Sequence, residues 1–161
     1  LNDSNLGSFQ GLKKEFLITK NNKKEKLKIH FGLDTRPPSI VKTDKRHPLN
    51  DIKYREFINE IPLSAESFKD TVERIYPDWI NNIKASLHND KDILIIAHGN
   101  SLKALIKFIN NISELDILKF KIPIGIPLIF DLNKDLSIKK AFFIDFQNKH
   151  EKIRKRYLLN F

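Results

Sequence analysis

The sequence predicts an α/β fold around a mostly parallel sheet, on three observations. Ile93 to Ala97 is an apolar run, β-branched and without alternation, which is how a strand buried on both faces of a parallel sheet reads. A helical pattern starts directly after it, with Leu102, Leu105, Ile106 and Ile109 at spacings of one, three and four. Ahead of it, Phe68, Val72, Ile75, Trp79, Ile83 and Leu87 recur every three or four residues and make one apolar stripe. A buried strand between two amphipathic helices is the order that α/β domains use.

From the start of the chain, Leu1 to Leu12 reads as a loop punctuated by Gly7 and Gly11 around Ser8-Phe9-Gln10. Lys13 to Lys28 has helical composition but is highly charged and poorly amphipathic. Gly32 to Pro48 is irregular, because Pro37-Pro38 excludes helix and favours extended backbone. An excursion of that length reads as a functional lid. Ser64 is expected to open the long helix, with Glu66 and Asp70 suited to its positive end and Pro77 kinking it. Its stripe is core, and Trp79 has no cofactor role.

Past the central strand, Asn100 or Ser101 is available as N-cap. Ser113-Glu114-Leu115-Asp116 resembles a capping box ahead of a short helix. Pro123 to Pro127 is a turn, and Leu128–Leu132 and Ile138–Ile144 are strands joined as a hairpin by Asn133-Lys134-Asp135. Lys149 to Arg156 is charged, so 149–161 is a terminal helix or tail. With no repeat and no low-complexity linker, 1–161 reads as a single domain.

Composition narrows the classes. A chain of 161 residues can bury a core of its own. No run approaches the roughly 18 apolar residues of a membrane span, and Leu1 to Lys20 lacks the layout of a secretory signal. Without cysteine there is neither a disulfide framework nor thiolate chemistry, and no His/Cys cluster has metal-ligand spacing, so no metal is expected. The net charge of +9 gathers in Lys13–Lys28 and Lys149–Arg156 and reads as solvated surface. No aromatic-basic stacking pattern supports nucleic-acid binding. The chain contains no methionine and begins at Leu1 inside a loop, from which a fragment of a longer chain is expected.

His98 carries the chemistry. It stands at the carboxyl end of the expected strand and beside a helix N-terminus, where open sheets bind ligands and backbone N–H groups favour anions. A histidine after a strand also serves simply as a hydrogen-bonded loop residue, and local sequence leaves both readings open.

A longer pattern bears on the choice. IIAHGNSLKALIKF followed by IPIGIPLIFDL resembles the cofactor-dependent phosphoglycerate mutases of the histidine phosphatase superfamily. ESFKDTVERIYPDW resembles the helix those proteins place before the strand. LNDSNLGSFQGLKK is similar to their early substrate loop, and Gly32 with Pro37-Pro38 to the stretch after it. The resemblance runs to about Asp145 and covers the C-terminal two thirds of the family pattern. The Arg-His-Gly motif that holds the phosphorylated nucleophile does not occur in this chain.

The resemblance implies a three-layer α/β/α sandwich that lacks its first strand and helix, and hence a piece of poor stability or a tendency to aggregate. It implies interconversion of 2- and 3-phosphoglycerate through a phosphohistidine, in glycolysis and gluconeogenesis, with 2,3-bisphosphoglycerate as the priming donor. His98 would stabilise the phosphoryl oxygens in transfer, with Gly99 and Asn100 donating to the same phosphate. Lys14 falls on a substrate-binding lysine, and Asp3 on a glutamate that acts as general acid and base. Small phosphorylated sugar acids as ligands, a homodimer or higher homo-oligomer, a cytoplasmic location, and neither membrane nor nucleic acid as partner complete the implication.

The chain also departs from the family. Asp3 is one methylene shorter than glutamate, and a displacement of about 1 Å can cost on the order of a hundredfold. Ser4 stands where the family has an arginine, Leu6 where it has a tyrosine, and His30-Phe31 where it has two arginines that clamp anions bidentately. Arg36 is the residue that would have to compensate. Three functions follow: a mutase present as a fragment or decayed copy, a phosphatase of the same superfamily, or a non-catalytic basic module that binds anions or a partner.

Overall fold

The computed structural model describes residues 1–12, 33–60, 64–89 and 91–144. In chain order these form 3₁₀ turns at Gly7–Phe9, Pro48–Asn50 and Ile52–Glu60, helix α1 (Phe68–Asp78), a π-helical stretch (Trp79–Lys84), α2 (Ala85–His88), α3 (Gly99–Asn110), α4 (Glu114–Lys119), and strands β1 (Leu128–Leu132) and β2 (Ile138–Phe143). The result is a mixed helix and strand structure.

Helix α1 starts at Phe68, four residues later than Ser64 would have it. Ser67 is the N-cap instead: its hydroxyl accepts from the Asp70 N–H while Asp70 accepts from the Ser67 N–H, a reciprocal capping box. Pro77 has no N–H to continue the ladder, and the backbone answers with the π-helical stretch that begins at Trp79. The helical run nevertheless continues to His88, and its apolar stripe stays in register.

That stripe forms the core as expected. Ile75, Trp79 and Ile83 pack with Ala104 and Leu105 of α3, and Val72, Leu87, Ile95 and Phe108 close around them. Trp79 and Phe108 rings stack with centroids 6.4 Å apart, so Trp79 is a packing residue. A second cluster joins Phe68 and Ile106 to Ile117 of α4 and to Phe120, its C-cap, and β1 and β2 cover it with Leu128, Phe130 and Phe143. Ser113 caps α4 as the sequence suggests, its hydroxyl accepting from the Asp116 N–H.

The hairpin is where the sequence puts it. Strands β1 and β2 pair antiparallel, from Leu128 opposite Phe143 to Asp131 opposite Lys140, with a bulge between Asp131 and Leu132. Asn133 N–H donates to the Ser137 carbonyl, and Asp135 accepts from the Ser137 N–H and hydroxyl. The turn at Pro123 to Pro127 also forms, with Gly125 at φ +72°.

The expected parallel sheet does not. Among the described residues the sheet is the two-stranded antiparallel hairpin, and 91–98 forms no strand. Ile95 packs on the α1–α3 core, but Leu94 and Ile96 are 85% and 87% exposed. The cause is pairing: extended backbone becomes a strand only against a ladder partner, and none of the described residues supplies one. The irregular excursion after residue 33 is tied down rather than open. Arg46 donates to the Gln10 carbonyl, and Asn50 Nδ2 donates to the carbonyls of Lys42 and Asp44. The basic stretches Lys13–Lys28 and Lys149–Arg156 lie outside the described residues.

Candidate functional site

His98 ends segment 91–98 and is itself the N-cap of α3, with φ −72° and ψ 156°. The cap therefore falls two or three residues earlier than Asn100 or Ser101. The His98 carbonyl already accepts the Leu102 N–H, so Gly99 is the first helical residue. The His98 side chain makes no capping hydrogen bond, and Gly99 has open space where a Cβ would stand. The amide groups of Gly99 and Asn100 thus stand at the positive end of a twelve-residue helix whose N-cap side chain leaves them unbonded.

The first loop comes to meet it. Asp3 Oδ2 lies 3.1 Å from His98 Nδ1, and both side chains remain accessible, at 37% and 72% exposure. Asp3 Oδ1 accepts from the Ser4 N–H at 2.8 Å, which fixes the carboxylate's rotation. An ionised carboxylate offers only lone pairs, so the proton of a neutral imidazole in this contact belongs on Nδ1. Nε2 is then left as the atom with a free lone pair. A carboxylate, an imidazole and an uncapped helix terminus within one small area suit proton transfer beside a phosphate.

The other positions separate. Ser4 is buried, and its hydroxyl is bonded to Thr71 Oγ1 at 2.7 Å, so it faces the core of the loop–helix contact and away from solvent. Arg36 does not reach toward His98. Its guanidinium grips Asp70 with two bonds, Nε to Oδ2 at 2.7 Å and Nη2 to Oδ1 at 2.6 Å. It lines a shallow depression with Asp34, Ser67, Lys69 and Glu73, a set that contains none of the described candidate site residues Asp3, Ser4, His98, Gly99 and Asn100. The Arg36 fork, with help from Ser67, holds the Asp70 carboxyl far below the usual carboxylate range. Lys14 and His30 lie outside the described residues. Among the described residues no group of three or more His, Cys, Asp or Glu is arranged to hold a metal ion.

One set of residues was not legible in the sequence. Arg74 Nε donates to Glu66 Oε1 at 2.7 Å, and its Nη2 reaches the Asn2 carbonyl at 3.1 Å. Glu66, expected to serve the helix dipole, lies ahead of the N-cap and is buried; it accepts from Arg74 and from the Asn5 N–H. Ser101 Oγ donates to the Asn2 carbonyl at 2.7 Å. These partners are distant along the chain, and no periodicity or short motif announces them.

No family model matches the chain. Curated relatives do. A 2,3-bisphosphoglycerate-dependent phosphoglycerate mutase of Borreliella afzelii (strain PKo) is 38% identical over 152 residues, which take in 94% of this chain and 61% of the relative. The protein of the same name from Borreliella burgdorferi (strain ZS7) is 38% identical over the same shares. That of Borrelia garinii subsp. bavariensis is 37% identical over 149 residues, 92% of this chain and 60% of the relative. The chain spans about three fifths of the length of each of these relatives.

Proposed function

Because the chain belongs to the family of 2,3-bisphosphoglycerate-dependent phosphoglycerate mutases, we propose that its protein interconverts 2- and 3-phosphoglycerate, with His98 and Asp3 at the point of transfer. The observation that carries the reading is the 3.1 Å contact between His98 Nδ1 and Asp3 Oδ2 at the uncapped end of α3. It brings together the phosphate-stabilising and proton-moving groups that the chemistry needs. The covalent phosphohistidine that splits one difficult transfer into two easier ones would form on the histidine of the family's Arg-His-Gly motif, which does not occur in this chain, and His98 would stabilise the group in transit.

The donors present fit one phosphate. In its imidazolium form His98 would donate Nε2–H to a phosphoryl oxygen while Nδ1–H stays on Asp3, and the amides of Gly99 and Asn100 at the positive end of α3 supply further donors. When bound, 2,3-bisphosphoglycerate supplies the priming phosphoryl group, and these residues would hold it. Asp3 takes and returns the proton of the acceptor hydroxyl, with its carboxylate oriented by the Ser4 amide. Arg36 adds no cation here because Asp70 occupies its fork; Lys14 and His30 remain candidates for the remaining charge.

The same reading carries a three-layer α/β/α architecture. The exposure of Leu94 and Ile96 beside a packed Ile95 supports it, since a strand with apolar residues on both faces is built for two covered faces. A cytoplasmic, homo-oligomeric protein of one domain belongs to the same proposal. No described helix is long and apolar enough to cross a membrane.

The test is turnover of 3-phosphoglycerate by the protein as its own cells make it, with and without 2,3-bisphosphoglycerate, alongside phosphate release. Mutase turnover that falls about 100-fold or more in His98→Asn is expected. Phosphate release without isomerisation would make it a phosphatase, and binding without either would leave an anion-binding module.

A further inference from the structure

We infer that Arg74 and Ser101 are positioning residues that hold the first loop so that Asp3 faces His98; the inference rests on the Asp3–His98 reading above. Neither residue touches the Asp3 carboxylate or the imidazole. Both act on the backbone beside it. The Asn2 carbonyl, one residue before Asp3, receives the Ser101 hydroxyl at 2.7 Å and Arg74 Nη2 at 3.1 Å. The same Nη2 lies 3.5 Å from the Asp3 carbonyl. Arg74 is in turn held by Glu66, through Nε to Oε1 at 2.7 Å and Nη2 to Oε2 at 3.2 Å. Glu66 also grips the far side of the loop, accepting from the Asn5 N–H and donating its own N–H to the Asn5 carbonyl, both at 2.8 Å.

The arrangement has a geometric consequence. Ser101 lies in the first turn of the helix that His98 caps, so one turn of backbone fixes both the imidazole and the carbonyl before its carboxylate partner. Arg74 and Glu66 hold the loop side of the pair, from α1 and the residue just ahead of its cap. Ser101 is wholly buried and Glu66 is 4% exposed, so the Ser101–Asn2 and Glu66–Asn5 bonds are partly shielded from competing water, whereas the Arg74 bonds to the loop carbonyls lie at the surface. Arginine is required because one planar fork must serve a carboxylate and a carbonyl together, which a lysine ammonium does not reproduce.

The contact favours the Nδ1–H tautomer of neutral His98, and that is the readout. Long-range proton–nitrogen spectra of the full chain labelled in its five histidines report the tautomer, and His98→Gln assigns the signal. Asp3→Ala is expected at least to double the Nε2–H population. Arg74→Lys, which keeps a cation against Glu66, and Ser101→Ala are each expected to move it in the same direction while melting stays cooperative. Ile75→Val, which weakens the core without touching the loop, should leave it unchanged. If Asp3→Ala moves the tautomer and neither Arg74→Lys nor Ser101→Ala does, the pair stands and the positioning role is overturned. If Asp3→Ala itself moves nothing, the pairing fails and takes this inference with it.

Discussion

Arg36 and Asp70 are locked together by two parallel bonds of 2.7 and 2.6 Å, from the excursion after residue 33 to the first turn of α1. The pair also closes the capping box, since the same Asp70 oxygen accepts from Ser67. A guanidinium that seemed available for an anion is thus a fold-closing residue.

Acid sensitivity follows from that pair. The Asp70 carboxyl lies below its unfolded value of about 3.9, chiefly through the Arg36 bonds. A depressed folded value stabilises fully above about 3.9, and the contribution is lost as pH falls through the folded value. Arg36→Met is therefore expected to be less stable than the parent at neutral pH. The difference should shrink steadily below about pH 4, as urea titrations at each pH would read. A gap that stays constant with pH would show that the pair contributes nothing through ionisation.

Two glycines should respond differently to the same change. Gly7 has φ +56°, and a Cβ there would collide with the Pro38 carbonyl oxygen, the acceptor of the Ser8 N–H. Gly11 has φ +75° but open space around it. Gly11→Ala should cost about 1–2 kcal/mol, the strain of the left-handed backbone alone. Gly7→Ala adds a clash with backbone that cannot turn aside, so about 2–5 kcal/mol is expected from urea denaturation. Equal losses would mean that the Pro38 contact yields freely.

Leu94 and Ile96 form an exposed apolar edge on backbone that pairs with none of the described residues. Such an edge templates association, and lysine is the usual deterrent. In the 161-residue chain, Leu94→Lys combined with Ile96→Lys should reduce light scattering at a given concentration without lowering the melting temperature. In a protein where the segment is a covered strand, the same pair of substitutions should unfold it. The two responses separate an open edge from a buried one.

What could be read from residues alone was whatever depends on neighbours within a turn or two. The stripe from Phe68 to Leu87 had to be core, because its spacing permits one apolar face. The hairpin at Asn133, the cap at Ser113 and the turn at Gly125 were legible for the same reason: each is set by side chains or backbone within five residues. The local helix signals were less sharp, since Ser64, Ser67, Asn100 and Ser101 all have capping chemistry and only geometry chose Ser67 and His98. A strand buried on both faces was expected at Ile93 to Ala97 and does not form among the described residues, because a strand needs a partner and pairing is a property of the assembled fold.

The site divides along the same line. His98 beside a helix N-terminus was visible as a pattern of types, and Asp3 as a position within a longer resemblance. Their 3.1 Å contact was not, nor the turning of Ser4 inward to Thr71, nor the capture of Arg36 by Asp70. Each is a meeting of residues remote in the chain, made where the first loop and the excursion after residue 33 dock on the start of α1 or α3. Short-range stereochemistry writes itself into residue order, whereas which polar group meets which across the fold is decided when the core closes and every buried donor must find its acceptor.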